Sequence, residues 1–253
     1  MTAPTTSRMA NLGHPSDDPN LSRVHTIDLA LLGVGERNTS ARVLDAGCGA
    51  GRHELALASL PVDAVACDLD RESLYRGRYF VGEGAGRAVR VAWVQAHGIR
   101  LPFADGTFDA VICSETLEHV RDDMGLLREL RRVTRPRGRI AVSVPAYWPE
   151  LLLWALSWRV THTPGGHLRI YRREHLLKKL RTCGWRPYAV RRRHAFESVY
   201  WVLGALFGGG EPPPLPARAW RRLVNGRPAG LIDRCERAFA PLGKSLVVYA
   251  RAG

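Results

Sequence analysis

The stretch RVLDAGCGAGRHELALA, residues 42–58, decides the fold of this chain. It begins with a short apolar strand at Val43-Leu44 and continues through Asp45 into a turn with glycines at positions 47, 49 and 51. An apolar-rich helix is expected directly after the turn. A strand, a glycine turn and a helix open a nucleotide-binding βαβ unit. Because glycine lacks Cβ, the turn can be tight and a ligand can approach its backbone, and the helix N-terminus offers N–H groups.

The spacing of this turn discriminates between ligands. A dinucleotide-binding turn has the pattern G-x-G-x-x-G, and here the third glycine comes one residue early. Asp45 would repel a pyrophosphate but can hold an ammonium group. The pattern D-x-G-x-G-x-G resembles motif I of the class I S-adenosylmethionine (SAM)-dependent methyltransferases. A tight turn without a ligand is the alternative interpretation of this stretch taken alone.

A second block, residues 97–120, strengthens the resemblance. Its segments 101–103 and 105–109 match the LPF-x-D-x-x-FD signature of the type 11, UbiE-like small-molecule methyltransferases, and 114–120 resembles their S-x-x-LEHV segment. The resemblance covers roughly residues 40–145. It continues weakly through 167–171, the helix 173–181 and Gly184-Trp185.

The resemblance implies an α/β fold: a Rossmann-like, seven-stranded mixed sheet with helices on both faces and a C-terminal helical, aromatic cap. Apolar runs predict further strands at residues 64–67, 88–95, 111–113, 140–144 and 245–250. Helical spacing predicts helices over 21–32 and 122–133. The first of these either covers the cofactor or packs on the sheet.

The domain organisation follows from composition along the chain. Residues 1–20 lack an apolar h-region and are expected to be a disordered lead-in rather than a signal peptide. Residues 21–253 are expected to form one methyltransferase domain with cap insertions at about 147–168 and 194–240. No run reaches the ~18 apolar residues of a membrane helix.

The resemblance implies SAM as cofactor. An acid at the end of the second strand can accept both ribose hydroxyls, and two residues compete for this role, Asp68 and Asp70. Asp70 is also suited to cap the next helix. His97 stands where the family usually has an acid that accepts from the adenine amino group. The expected cofactor contacts are Asp45, Gly47, Cys48, Gly49, Gly51, Asp68, Leu69, His97, Gly98 and Ser114.

The acceptor side is expected after the fifth strand, where insertions shape the crevice of an α/β sheet. Methyl transfer to a hydroxyl or amine benefits from a base with a pKa near neutral, which favours histidine. The candidates are His167 and His162, which flank a glycine loop, and His119, for which packing is the competing role. The expected acceptor contacts are Tyr147, Trp148, Tyr171, His194 and Trp201. No metal is expected, because the histidines lack a supporting cysteine or acid pattern.

The net charge of +13 is unevenly placed. Residues 151–253 hold 19 Lys+Arg and 5 Asp+Glu, or +14, which leaves 37−19 = 18 basic and 24−5 = 19 acidic residues, or −1, in residues 1–150. A basic half suggests an anionic partner such as nucleic acid or a membrane surface. The excess is almost entirely arginine, which is also consistent with a compositional bias of the gene.

These observations predict a SAM-dependent methyltransferase with a small or lipid-like acceptor, because the additions to the fold are aromatic and apolar. The alternatives are an RNA or protein methyltransferase that uses the basic half, and a non-catalytic SAM-binding protein. Nucleic acid is disfavoured, because the N/D-P-P-[YF] motif is missing after the fourth strand. The five cysteines have no CxxC spacing, which favours a reduced, cytoplasmic protein. Peripheral contact with the inner face of an anionic membrane is a second option, and the oligomeric state is left open.

Overall fold

The computed structural model describes residues 26–35, 41–85, 91–156, 167–207, 214–226 and 229–253. The strands are β1 Arg42–Ala46, β2 Asp63–Asp68, β3 Val91–Gln95, β4 Phe108–Ser114, β5 Thr134–Pro145, β6 Trp185–Arg193 and β7 Ser245–Ala252. The α-helices are α1 Leu29–Leu32, α2 Glu54–Leu57, α3 Arg71–Ala85, α4 Asp123–Val133, α5 Tyr147–Leu156, α6 Arg173–Thr182, α7 Ala195–Leu206, α8 Leu215–Asn225 and α9 Ala229–Ala238. Short 3-10 helices span Leu117–His119 and Ala240–Leu242.

The strands form one seven-stranded sheet in the order β3-β2-β1-β4-β5-β7-β6. Strands β1 to β5 pair in parallel, whereas β7 runs antiparallel to both β5 and β6. The sheet is therefore mixed, as predicted. The order reverses at β1, and in open α/β sheets ligands bind beside the carboxyl ends of the strands at such a point.

The sheet is buried on both faces, as its apolar strands require. One face packs on α4 and α6 through Leu126, Leu130 and Leu176, and the other packs on residues such as Ile27 and Leu57. The leucine spacing of α4 turns one side of the helix to the sheet, and the Asp122 side chain caps it by accepting from the Gly125 N–H at 2.7 Å. Helices therefore cover both faces, as expected.

Two predicted helices are much shorter in the structure. The helix after the glycine turn spans only 4 residues, Glu54–Leu57, because the chain first passes through further turns. In the described part of 21–32, helix begins only at Leu29, after the N-cap Asp28. Ile27 and Leu32 are buried in the core, so this segment packs on the sheet. The lead-in 1–20 and His162 lie outside the described residues.

The carboxyl ends of β5 and β6 share an edge, because Ser245 at the start of β7 pairs with both Pro145 and Arg193. The helices that follow these strands, α5 and α7, therefore begin at the same edge of the sheet as the glycine turn. Within the described ranges, no helix is long and apolar enough to cross a membrane.

Candidate active site

The glycine turn is anchored to the neighbouring strand. The N–H groups of Gly47 and Cys48 both donate to the carbonyl oxygen of Cys67, at 2.7 and 3.1 Å. A side chain at Gly47 would collide with that of Thr116, and Cys48 is itself buried. Both residues therefore shape the turn from inside the protein.

Gly49 is the member of the turn that faces open space. A Cβ at Gly51 would collide with the ring of Trp93, so Gly51 is needed for packing. Gly49 has a φ of +53°, and a Cβ there would meet nothing within 4 Å. The backbone at Gly49 is therefore accessible for close approach by a ligand.

Asp68 and Asp70 have separate roles. Asp68, at the end of β2, accepts from the Gly49 N–H through Oδ2 at 2.8 Å and from the Asp70 N–H through Oδ1 at 2.9 Å. Asp70 accepts from the N–H of Ser73 at 3.1 Å and therefore caps α3. The hydrogen bond from the Ser73 hydroxyl lowers the pKa of Asp70. Asp68 is thus the carboxylate at the glycine turn, and its remaining lone pairs can accept from a diol.

Asp45, which was expected to contact the cofactor directly, lies in the interior. It is fully buried, and its Oδ2 lies 2.9 Å from Nδ1 of His53. Burial, and then the charge of Asp45, raise the pKa of the neighbouring buried Glu54 well above its usual range. Asp45 therefore stabilises the glycine turn from inside the protein. His53 and Glu54 had no recognisable motif in the sequence.

His97 and Leu69 lie on the rim beyond β3 and β2. The Leu69 side chain is exposed, and its carbonyl accepts from the side-chain amide of Gln95 at 3.0 Å. His97 is also exposed, and its Nδ1 accepts from the Ile99 N–H at 3.4 Å. Gly98 packs so closely that a Cβ would touch Leu126. The apolar side chain of Leu69 and the imidazole of His97 thus flank the edge of the sheet where an adenine ring could lie.

Strained backbone marks the end of β4. Glu115 has a φ of 50°, which a non-glycine residue adopts only where its surroundings hold it. Its Oε1 accepts from the Ser143 hydroxyl at 2.9 Å, and that hydroxyl lies 2.9 Å from the Ser114 hydroxyl. Ser114 is therefore part of a polar network that joins the carboxyl ends of β4 and β5.

A second polar group lies next to this network. Nδ1 of His167 lies 2.5 Å from Oε1 of Glu150, a buried residue of α5. The rings of His167 and His119 meet edge to face with centroids 4.9 Å apart. The structure therefore brings two of the three candidate bases together. Glu150 was not predicted, although an acid within the apolar run YWPELLL was a usable signal.

Glu118 is a further residue that the sequence analysis missed. Its carboxylate is fully buried, and neither oxygen has a hydrogen-bond partner among the described residues. Burial, followed by the charge of Glu115, raises its pKa well above the usual range. Glu118 was overlooked because it lies within residues 114–120, which were interpreted as a family motif.

Two expected acceptor contacts lie in the interior instead. Tyr171 is buried and donates to Oδ2 of Asp123 at 2.6 Å. His194 is buried in left-handed backbone, with its Nε2 2.8 Å from the hydroxyl of Thr26. Burial lowers the pKa of His194 to about 3, so it is neutral near pH 7. Both residues therefore satisfy polar groups inside the fold in this structure.

The other aromatic candidates are accessible. Trp148 is 68% exposed on α5 and Trp201 is 44% exposed on α7. The ring of Tyr147 packs against Trp148 and lies under the guanidinium of Arg172. These residues give the edge beyond β5 and β6 an apolar, aromatic surface.

Comparisons with known proteins agree with this geometry. Residues 44–142 match the family model described as a methyltransferase domain. This part of the chain therefore resembles a methyltransferase domain. A stretch of 126 residues is 39% identical to a demethylmenaquinone methyltransferase of Beutenbergia cavernae and covers 49% of this chain. The structure resembles a SAM-dependent methyltransferase from Aquifex aeolicus with a TM-score of 0.58 and 16% identity, over 99% of this chain and 100% of the other.

The methyltransferase match contains the glycine turn, Asp68 and the LPF segment, and it ends within β5. It excludes α5, α7 and His167, where the acceptor side was expected from the sequence. The chain spans about half the length of the B. cavernae relative, 50%. A longer match, over 70% of this chain and 66% of the other, is 29% identical to an uncharacterized methyltransferase of Mycolicibacterium vanbaalenii.

Proposed function

We propose that this chain transfers a methyl group from SAM to a small, lipid-like acceptor. One observation carries the proposal: the accessible glycine turn and an exposed aromatic surface occupy the same edge of the sheet. The turn provides Gly49 and Asp68, and the surface provides Trp148 and Trp201. Cofactor and acceptor would therefore meet at the carboxyl ends of the strands.

The residues present fit SAM. Gly49 leaves space that a side chain would fill, and Asp68 presents a carboxylate there. Leu69 and His97 flank the adjoining rim, where an apolar face and a hydrogen-bond acceptor suit an adenine. When bound, SAM supplies an electrophilic methyl group on a sulfonium. The protein's part is to align the acceptor and exclude water, and positioning of this kind contributes up to ~7–11 kcal/mol.

The acceptor class follows from the surface of α5 and α7. Besides the two tryptophans, its exposed side chains are predominantly apolar: Leu151, Leu152, Val199, Leu206 and Phe207. Contact between such a surface and a hydrophobic molecule is favourable, because apolar area is removed from water. The same contact excludes water from the reacting atoms. Because a stretch of the chain is similar to a demethylmenaquinone methyltransferase, a demethylmenaquinone reduced to its hydroquinone is the first defined acceptor to test. The hydroquinone carries the hydroxyl proton that the quinone lacks.

His167 is the proposed group that receives a proton from the acceptor. Its Nδ1 is bound to the Glu150 carboxylate, so Nε2 is the nitrogen that can take the proton. The charge of Glu150 would then stabilise the imidazolium. His119, beside the His167 ring, completes this polar group within an otherwise apolar surface.

We also propose that the same surface contacts anionic membranes peripherally. Cations lie directly beside its aromatic rings: the Lys244 ammonium is 5.3 Å from the Trp201 ring, and the Arg172 guanidinium is 4.7 Å from the Tyr147 ring. Apolar side chains bordered by cations favour an anionic lipid interface. Sedimentation with anionic vesicles, and with neutral vesicles as the control, tests this contact.

The function is tested with methyl-labelled SAM and separated cell fractions of lipid, polar small molecules, RNA and protein. A separate assay uses demethylmenaquinone kept in its reduced, hydroquinone form. We expect label in the lipid fraction, little with Asp68→Ala, and wild-type labelling with Asp70→Ala, which changes only a helix cap. Label in the RNA or protein fraction instead would show that the acceptor is RNA or protein, and would contradict the lipid-like acceptor class. Tight binding of S-adenosylhomocysteine without labelling of any fraction would indicate a SAM-binding protein.

A further inference from the structure

We propose that Glu118, His119 and His167 form a binding site for a divalent transition metal ion of the zinc type. One ligand atom from each residue lies within 4.8 Å of the other two. Two histidines and one glutamate are a ligand set of catalytic zinc sites, which keep a further position open. No metal was expected from the sequence, because Glu118 was not recognised as the acid that accompanies the histidines.

The buried carboxylate of Glu118 is the first argument. It is fully buried, and both of its oxygens are without a hydrogen-bond partner in the described part of the chain. A buried polar group without a partner costs roughly 1–3 kcal/mol, and more when it is charged. A cation held between Glu118 and the two imidazoles would satisfy it, because carboxylate oxygen and imidazole nitrogen both bind zinc.

The arrangement of the two imidazole rings is the second argument. Two histidines that bind one tetrahedral zinc at ~2.0–2.1 Å hold their ring centroids about 5 Å apart. The rings of His119 and His167 have centroids 4.9 Å apart and an interplanar angle of 65°. Small side-chain rotations would bring the ligand atoms of the three residues to the spacing of about 3.4 Å that a tetrahedral ion requires.

The surroundings orient the ligands. Glu150 binds Nδ1 of His167, which leaves Nε2 as the nitrogen for an ion. A carboxylate bound to the far nitrogen of a ligating histidine is the usual support of a zinc site. The loop of His167 is also tied to the Glu118 segment, because the Leu168 N–H donates to the Glu118 carbonyl oxygen at 3.0 Å. Ligands from two distant parts of the chain are thus held at one place.

The site has a buried end and an open end. Glu118 is buried, His167 is partly exposed and His119 is exposed, so an ion would keep a position open to solvent or to an acceptor. If the proposed function holds, this position would bind an acceptor hydroxyl. Binding to a cation lowers the pKa of a hydroxyl. The hydroxyl proton would pass to solvent, and the methyl group would move to the acceptor oxygen, or to a ring carbon made nucleophilic by that oxygen, as the sulfur–methyl bond breaks. A methylated ring carbon would then lose its own proton to solvent. In the metal-bound protein His167 would act as a ligand, and its role as proton acceptor would apply to the metal-free protein.

The test uses the chain without a histidine tag and titrates it with Zn²⁺ by calorimetry and with Co²⁺ by visible absorption. We expect one ion per chain and the absorption bands of a four- or five-coordinate cobalt. Glu118→Gln, His119→Ala and His167→Ala should each weaken binding at least tenfold, and Glu150→Gln should weaken it ~10–100-fold. His175→Ala is the matched control, since His175 is exposed on α6 and is not a member of the cluster, and this variant should bind as the wild type does.

Thermal unfolding separates a metal site from a structural role. Without metal, Glu118→Gln should melt at or above the wild-type temperature, because it removes an unpaired buried carboxylate. With Zn²⁺, the wild type should gain stability and the variant should not. Unchanged Zn²⁺ affinity in His119→Ala and His167→Ala, or no wild-type binding below millimolar Zn²⁺, would overturn the proposal. Calorimetry with S-adenosylhomocysteine, which does not depend on this site, reports separately on the proposed function.

Discussion

The carboxylate of Asp68 accepts a hydrogen bond from the N–H of Gly49 at 2.8 Å, which ties the end of β2 to the turn after β1. This bond places the carboxylate beside the accessible backbone of Gly49 before any ligand arrives. A site that is already ordered spends less binding free energy on ordering itself. The Asp68–Gly49 contact is therefore the centre of the proposed cofactor face.

Replacing Asp68 with alanine should weaken binding of S-adenosylhomocysteine by about 1.5–3 kcal/mol, because a hydrogen bond to a charged group is lost. Isothermal titration calorimetry measures this loss. Asp70→Ala should lower the melting temperature through the lost helix cap while leaving ligand affinity within about twofold. Equal affinities in the two variants would contradict the assignment of Asp68.

Replacing Trp148 or Trp201 with alanine should lower kcat/KM for a lipid-like acceptor by about tenfold, or ~1.4 kcal/mol, since each removes exposed aromatic area from the proposed acceptor surface. Affinity for S-adenosylhomocysteine should stay unchanged. Leu215→Ala, at an exposed apolar position on α8, is the control and should keep wild-type kinetics. Steady-state assays with the labelled acceptor give the comparison. Wild-type kinetics in both tryptophan variants would remove this surface from the acceptor site.

Tyr171→Phe should destabilise the fold by about 0.5–1.5 kcal/mol, because the buried hydrogen bond to Asp123 is lost. The effect should stay modest, since Lys179 and Arg169 still pair with Asp123 at 2.8 and 3.0 Å. Urea unfolding measures it. Turnover should not change, and a loss of turnover without a loss of stability would return Tyr171 to the acceptor site.

His194 should make the fold less stable as the pH falls. Burial lowers its pKa from 6.5 to about 3, although the facing Glu197 carboxylate acts in the opposite direction. The facing cations Lys244, Arg52 and Arg193 also lower it. Between about pH 6.5 and 3 the unfolded chain binds a proton that the folded chain does not. The free energy of unfolding therefore decreases on acidification, by at most ~1.4 kcal/mol per pH unit.

His194→Asn tests this dependence, because asparagine tolerates the left-handed backbone at this position. Its free energy of unfolding should depend less on pH than the wild-type value between pH 6.5 and 5. Below about pH 4.5 a dependence should return, because the pKa of Glu197 is lowered to about 2 despite its burial. The unfolded chain binds a proton at this residue there that the folded chain does not. Denaturant unfolding at a series of pH values gives both curves, with His175→Asn as an exposed control. Parallel curves for His194→Asn and the wild type would exclude His194 as the source.

The geometry of the glycine turn could be predicted because its signals are local. Glycines at alternate positions and an acid at the end of a strand act through backbone geometry, and the structure places Gly49 and Asp68 together as the motif required. From the sequence, Asp68 and Asp70 were both candidates for the carboxylate at the glycine turn. Only the hydrogen bonds distinguish them: Asp70 accepts from Ser73 and caps a helix, whereas Asp68 accepts from Gly49 in the turn.

The sequence by itself determined the succession of strands and helices along the chain and the position of the glycine turn. Both follow from the period of the hydrophobic residues and the spacing of the glycines, which depend only on neighbours in the chain. Only the tertiary structure decided which polar residues face solvent. It buried Asp45, Tyr171 and His194, and it brought His167 to His119 across a long separation in sequence. The physical reason is that burial and charge pairing depend on which strands and helices pack together. No residue carries that information in its local pattern.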